Sequence, residues 1–269
     1  MRHNIIGDIH GRKTWKEVFD PDAVNIFVGD YFDPYNTLGF FDGMPDDYDD
    51  SDYISGEDCI RNLSEIIELK RANPGSVVLL FGNHDLHYFS IGEIYSRYDR
   101  KYDAQIRKFL SDNVQHFHGI AYGIENKVLA SYAGVTLPWL ERHAFPAGAD
   151  LTPDNVARHC NSLFFDGYAK GSDHWQGLEN YKFDTCCDAD DRRGDSVGAP
   201  PVWVRPAALF DDNAFAETGY IQVVGHTKVP YIQCEENVYF VDCLGKLPAD
   251  GDTSHMSLKY ENGKFKTCI

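Results

Sequence analysis

Val24-Asn25-Ile26-Phe27-Val28-Gly29-Asp30-Tyr31-Phe32-Asp33 is a short apolar run that stops at a glycine and hands over to carboxylates. Its β-branched and aromatic content marks a buried strand, and the glycine marks a sharp turn at the strand's C-terminal end. The same pattern recurs elsewhere in the chain. Asn4-Ile5-Ile6 runs into Gly7-Asp8-Ile9-His10-Gly11-Arg12, Val77-Val78-Leu79-Leu80-Phe81 into Gly82-Asn83-His84-Asp85, and Ile221-Gln222-Val223-Val224 into Gly225-His226-Thr227. In α/β sheets, ligands gather beyond the carboxyl ends of the strands. Strand ends that carry Asp, His and Asn therefore point to one shared site in an α/β fold.

Outward from these strands, Ser55-Gly56-Glu57-Asp58 supplies an N-cap and early acids, followed by Ile60, Leu63, Ile66, Ile67 and Leu69, up to Asn73-Pro74-Gly75. This predicts the crossover helix of a βαβ unit. A further helix is expected over Tyr102 to Leu110, with Ile106, Phe109 and Leu110 as its apolar stripe. Beyond Val128 the pattern turns towards sheet, with strands over Lys127 to Tyr132 and Val238 to Asp242 and a closing hairpin around Asn262-Gly263. The stretch from about His143 to Pro206 has weak periodicity and many Gly, Asp and aromatic residues. It reads as a loop-rich insertion over the active face, within a single domain spanning 1–269. The acidic stretch Asp42 to Asp52 reads as a solvated loop.

The chain has 269 residues, of which 43% are hydrophobic, enough to build a full core and to exclude a disordered or fibrous class. Its 25 Lys+Arg against 42 Asp+Glu give a net charge of −17, so binding to a nucleic acid backbone is not expected. No apolar run of 18 residues occurs, and Met1-Arg2-His3-Asn4 does not open a signal peptide, so neither a membrane span nor export is expected. Seven cysteines without a C-x-x-C pair suit reduced thiols and a cytoplasmic protein. Walker A, G-x-G-x-x-G and G-x-S-x-G motifs are all missing from the sequence.

Asp8-x-His10 sets a carboxylate and an imidazole on the same side of an extended segment. Asp30 adds a second carboxylate, Asn83 an amide oxygen and His226 another imidazole. Oxygen and nitrogen donors without thiolate favour Mn²⁺, Fe, Zn²⁺ or Mg²⁺. These ligands exceed what one four-coordinate zinc uses, so a two-metal site sharing a carboxylate is the economical reading. Two neighbouring metals suit in-line displacement at phosphorus, by activating water and neutralising phosphoryl charge.

G-D-x-H-G, G-D-x-x-D, G-N-H-D and G-H-T, in this order and each after a strand, resemble the calcineurin-like metallophosphoesterases. The nearest branches are the serine/threonine phosphoprotein phosphatases and the bacterial diadenosine tetraphosphatases. The resemblance implies a four-layer α/β/β/α sandwich of two mixed β-sheets flanked by helices, with the metals at the strand ends. It implies Asp8 and His10 on the first metal, Asp30 as a bridge, and Asn83 and His226 on the second metal. It also implies that His84, oriented by Asp33, contacts the phosphate and protonates the leaving oxygen. A carboxylate partner stabilises the imidazolium that acid catalysis needs.

Two positions depart from the family pattern. Ser131-Tyr132-Ala133-Gly134 puts Tyr132 where a further histidine ligand is expected. Water fills the place, or the phenolate ligates a strongly Lewis-acidic ion such as Fe³⁺, or the second metal binds weakly. The last is favoured, because a phenol with a pKa of about 10 is a reluctant ligand at neutral pH. Asp33-Pro34 stands where the phosphoprotein phosphatases carry Asp-Arg, so another arginine must grip the phosphate. The candidates are Arg12, Arg97 and Arg205, with Arg205 preferred for its rigid, proline-rich surroundings.

The expected protein is a phosphoesterase using two divalent or trivalent ions, foremost Mn²⁺, in which a metal-bound hydroxide attacks phosphorus. A phosphomonoesterase of the phosphoprotein phosphatase kind is the first reading. A dinucleoside polyphosphate hydrolase, or a non-catalytic phosphate-binding member, are the alternatives. The partner is a phosphorylated substrate in each case. Trp175 and Tyr181 are the aromatic residues that a dinucleotide pocket would use, whereas His87, His116, His118, His159 and His174 lack ligand-like spacing.

Overall fold

The computed structural model describes residues 1–34, 54–89, 97–169, 194–196, 198–243 and 257–266. The strands are β1 (His3–Ile6), β2 (Val24–Phe27), β3 (Val77–Leu79), β4 (Ala121–Ile124), β5 (Val128–Ser131), β6 (Ile221–Lys228), β7 (Gln233–Glu235), β8 (Val238–Asp242), β9 (Ser257–Glu261) and β10 (Lys264–Lys266). The helices are α1 (Trp15–Val18), α2 (Gly56–Ala72), α3 (Asn83–Leu86), α4 (Asp103–Asn113), α5 (Leu137–Arg142), α6 (Pro153–Ala169) and α7 (Pro206–Asp211).

Two mixed five-stranded sheets form, in the orders β10-β9-β1-β2-β3 and β4-β5-β6-β8-β7. The first is parallel through β1, β2 and β3, with β9 antiparallel against β1. The second is parallel through β5, β6 and β8 and antiparallel at both margins. The alternation of side chains along a strand explains why these runs are apolar throughout. One set of side chains, including Ile5, Ile26 and Val78 from the first sheet and Ala130, Val223 and Val241 from the second, packs between the sheets. The other set, including Ile6, Phe27 and Leu79, joins the helical residues Leu63, Ile66 and Ile67. The expected α/β class, with two sheets flanked by helices, is the observed one.

Helix α2 begins at the expected cap. The Ser55 hydroxyl accepts from the Asp58 N–H at 3.1 Å, and Asp58 Oδ2 accepts from the Ser55 N–H at 3.0 Å. The stretch read as a loop-rich insertion is corrected over its first part, since α6 is a 17-residue helix whose Val156, Cys160 and Phe164 lie in the core. Asn161 locks this helix to β4, accepting from the N–H groups of Ile120 and Ala121 at 2.9 and 3.0 Å and donating to the Ala121 carbonyl at 2.8 Å. A stripe one residue wide, diluted by polar neighbours, is a weak periodic signal. The acidic stretch Asp42 to Asp52 and the aromatic residues Trp175 and Tyr181 lie outside the described residues.

Candidate metal centre

The turns after β1, β2 and β3 meet an irregular stretch of β6 at the carboxyl ends of the parallel strands; the expected turn at Gly225 is instead a break in the pairing of β6 with β8, between Val224 and Lys228, and His226 lies within the strand. Backbone hydrogen bonds tie the first two together, the N–H groups of Ile9 and His10 donating to the Asp30 carbonyl at 3.1 and 2.6 Å. Asp85 ties the second to the third. Its carboxylate accepts from the N–H groups of Asp30 (2.8 Å), Tyr31 (2.8 Å) and Gly82 (2.9 Å). Gly82 and Gly225 allow the close approach, because a Cβ at either would lie 2.2 Å from Asp30 Oδ1 or Asp8 Oδ1, respectively. Several side chains that bear chemistry sit in the left-handed backbone region, with φ of +45° at His10, +53° at Asp30, +56° at Asp33, +65° at Arg97 and +61° at His226. L-residues avoid this region, so the surrounding contacts must hold them there.

Asp8, His10 and Asp30 are buried and offer ligand atoms within 4.8 Å of one another. His10 Nδ1 donates to the Phe32 carbonyl at 2.7 Å, which turns Nε2 towards Asp30 Oδ2 at 3.4 Å and Asp8 Oδ2 at 3.9 Å. Such an outer hydrogen bond fixes the tautomer that presents a lone pair to a metal. His226 is oriented the other way round, with Nε2 donating to the Trp203 carbonyl at 3.1 Å and Nδ1 facing inward. The side-chain oxygen of Asn83 is buried and finds no hydrogen-bond donor among the described residues. An orphaned amide oxygen beside buried carboxylates and oriented imidazoles is a donor set that fits hard or borderline divalent ions.

The hydroxyl of Tyr132 lies among these groups, 2.9 Å from Asp8 Oδ2, 2.5 Å from Asp30 Oδ2 and 3.4 Å from His226 Nδ1. Burial, and then the charges of Asp30 and Asp8, hold its pKa well above the usual value. Burial raises both carboxyls well above their ordinary range, reinforced at Asp8 by Asp242 and at Asp30 by Asp8. Burial lowers His10 and His226 well below the usual imidazole value, helped by Arg97 at the first and Arg205 at the second.

Beside the carboxylates, His84 Nδ1 lies 2.7 Å from Asp33 Oδ2, and Arg97 Nη2 lies 2.9 Å from His84 Nε2. Burial pushes Asp33 up, but the hydrogen bond to His84 and the neighbouring His87 imidazole outweigh it and hold the carboxyl at about 2. Burial lowers His84 to about 4 against the pull of Asp33. Of the other two candidate arginines, Arg205 donates to the His226 carbonyl at 3.3 Å. Arg12 contributes its charge near His10 and Asp242. The sequence reading thus named side chains that meet here, while missing Asp85, Asp242, His87 and Tyr88. Asp242 is the last residue of β8, whereas Asp8 and Asp30 follow their strands, and no glycine announces it. His87 follows His84 by three residues, a spacing that puts both on one side of a helical turn.

Among the described residues no helix is long and apolar enough to cross a membrane. No curated protein matches the chain in sequence. The fold is similar to that of a cold-active protein-tyrosine phosphatase from a psychrophilic Shewanella species, at 15% identity over 98% of this chain and 76% of that one, with a TM-score of 0.56. It is also similar to a protein serine/threonine phosphatase from Saccharomyces cerevisiae with similarity to human phosphatase PP5, at 14% identity over 89% of this chain and 66% of that one, with a TM-score of 0.50. The family model for calcineurin-like phosphoesterases matches residues 1–242, from β1 to the end of β8. Glycine-turned strand ends, buried carboxylates and oriented imidazoles all fall within that span, and the chain belongs to the calcineurin-like phosphoesterases, metal-dependent hydrolases of phosphoric esters.

Proposed function

We propose that the chain is a phosphomonoesterase of the phosphoprotein phosphatase kind, working with two divalent ions, foremost Mn²⁺. The observation that carries this reading is the buried cluster of Asp8, His10 and Asp30, with the Asn83 oxygen, unpartnered among the described residues, and the inward-facing His226 Nδ1 beside it. Asp8 and His10 would hold one ion, Asp30 both, and Asn83 and His226 the other. Bound there, the ions supply Lewis acidity for activating water and for neutralising the phosphoryl oxygens. The Tyr132 hydroxyl lies between Asp8, Asp30 and His226, and a phenol that keeps its proton would leave the second ion more weakly held than a histidine would.

The chain's own side chains do the rest. Arg97, 2.9 Å from His84 Nε2, is positioned to grip a phosphoryl oxygen in place of the arginine missing at Pro34. Arg205 and Arg12 add positive charge at the rim. His84 gives a proton to the leaving oxygen. The phosphate dianion against Nε2 and Asp33 behind Nδ1 both favour the imidazolium, opposing the burial that lowers it in the free protein. The two phosphatases of similar fold are named for protein-tyrosine and protein serine/threonine substrates, which supports a phosphoprotein over a nucleotide. One feature favours a dinucleoside polyphosphate instead: the partly exposed Trp203 ring lies edge-on to His226, 5.8 Å away, where a base would stack. The described cysteines are free thiols, in keeping with a cytoplasmic setting.

The test is hydrolysis of p-nitrophenyl phosphate by metal-stripped protein titrated with Mn²⁺, with Asp30→Asn run alongside. Saturable turnover that the variant loses is expected, and wild-type rates in Asp30→Asn would refute the bridging role. Phosphotyrosyl and phosphoseryl peptides against diadenosine tetraphosphate then decide the substrate, and preference for the dinucleotide overturns the phosphoprotein reading.

A further inference from the structure

Three side chains from one short stretch converge on Asp33. His84 Nδ1 lies 2.7 Å from Oδ2, the Tyr88 hydroxyl donates to Oδ1, and His87 Nε2 lies 2.6 Å from Oδ2 as a close ion-pair contact outside regular hydrogen-bond alignment. All four residues are buried. The His87 ring meets His84, Tyr88 and Tyr98 edge to face, with centroids 5.3, 4.7 and 4.9 Å away. Asp33 itself sits at a left-handed φ of +56°, immediately before a proline, so its backbone does not hold the carboxylate without help from its neighbours. Two imidazole nitrogens approach one carboxylate oxygen favourably only when each presents an N–H. That requirement leaves His84 Nε2 as the nitrogen turned towards Arg97.

We propose that His87 is a positioning residue for phosphoryl transfer, presenting its Nε2 N–H to Asp33 Oδ2 and thereby fixing the carboxylate that aims His84 Nε2 at the leaving oxygen. The inference rests on the reading of His84 as the proton donor. In that step a water oxygen bonds to phosphorus and gives up a proton to solvent, the bond from phosphorus to the leaving oxygen breaks with its electron pair on oxygen, and the proton on His84 Nε2 passes to that oxygen. His87 keeps its own proton throughout.

A misdirected acid slows esters of basic alcohols more than those of acidic phenols, because only the former need the proton. The experiment therefore measures kcat/KM on phenyl phosphate and on p-nitrophenyl phosphate for His87→Phe, His87→Gln and His84→Asn. His87→Phe retains the ring packing and removes the N–H, whereas His87→Gln retains a donor. The expected result is a loss at least about tenfold larger on phenyl phosphate than on p-nitrophenyl phosphate for His87→Phe, largely restored in His87→Gln, with unchanged metal content. Equal losses on both esters in His87→Phe, with an unequal loss in His84→Asn, would overturn the role of His87 alone. Equal losses in His84→Asn would overturn the proton-donor reading and this inference with it. Should His87→Phe not fold, ¹⁵N-histidine NMR of the Mg²⁺-loaded wild-type chain decides. N–H protons at His84 Nδ1 and His87 Nε2 are expected, and a His87 protonated only at Nδ1 overturns the proposal.

Discussion

Replacing Asp85 with alanine removes, in one step, the acceptor for the N–H groups of Asp30, Tyr31 and Gly82, at 2.8, 2.8 and 2.9 Å. All three lie in the turns that carry Asp30, Asn83 and His84, and Asp85 is fully buried, so water cannot replace it. An unsatisfied buried donor costs about 1–3 kcal/mol. Three of them approach about 3–9 kcal/mol, and release of the buried carboxylate, which burial raises to about 7, offsets part of this. A net loss of about 3–6 kcal/mol is a large share of the roughly 5–15 kcal/mol that holds a domain together. In a chain of this size each kcal/mol lowers Tm by roughly 2–4 °C, so the expected drop is roughly 6–24 °C. Calorimetric and circular dichroism melts in EDTA at pH 7 measure it without metal linkage. Asp85→Asn is the internal control. Its amide oxygen can serve Asp30 and Gly82, while its NH₂ opposes the Tyr31 N–H, so its loss is expected at about 1–3 kcal/mol. An Asp85→Ala melt within about 2 °C of wild type, or an Asn variant less stable than the Ala variant, would refute the account of Asp85 as the tie between the turns.

Tyr132→His supplies the imidazole that the family pattern places beside the second ion, and after identical dialysis it is expected to retain more Mn²⁺ per chain than wild type by mass spectrometry; equal content refutes a weakening role for the phenol. Arg97→Ala removes the guanidinium beside His84 Nε2, and the loss of one charge-assisted hydrogen bond, about 1.5–3 kcal/mol, lowers kcat/KM by roughly 10–150-fold; a change under about twofold assigns the phosphate grip elsewhere. Burial holds protons on Asp8 and Asp30 above the pH at which free carboxyls lose them, while His10 and His226 are already neutral. An ion must displace those protons, so Mn²⁺ affinity rises as pH increases above the range in which free carboxyls ionise, and calorimetry in buffers of different ionisation enthalpy reads proton release; binding that is independent of pH refutes it.

The strand ends were legible because each obeys two local rules at once. A β-branched run can only be a strand buried on both faces when polar residues are missing from it, as in Val77 to Phe81, and the following glycine marks a turn too tight for a Cβ. Helix α2 was equally legible through Ser55 and its stripe. Helix α6 was not, because Val156, Cys160 and Phe164 form a stripe that makes sense only against β4.

The site divides along the same line. Asp8, His10, Asp30, Asn83 and His84 are legible because each follows closely on its strand, and His226 because a glycine precedes it near the end of β6; adjacency in the chain survives folding. What surrounds them is decided in space. His87 looks bland in sequence because the carboxylate it meets lies far away along the chain, in the turn after β2. Asp85 belongs to a motif read for its neighbours, yet it is the turns after β2 and β3 that give its three hydrogen bonds their donors. Among Arg12, Arg97 and Arg205, the sequence favoured the one in rigid surroundings, whereas the left-handed turn at Arg97 brings that side chain to His84. Residue type and order determine which donors a strand end can offer; only the packing of separate turns determines the distances, partners and charges that make those donors a site.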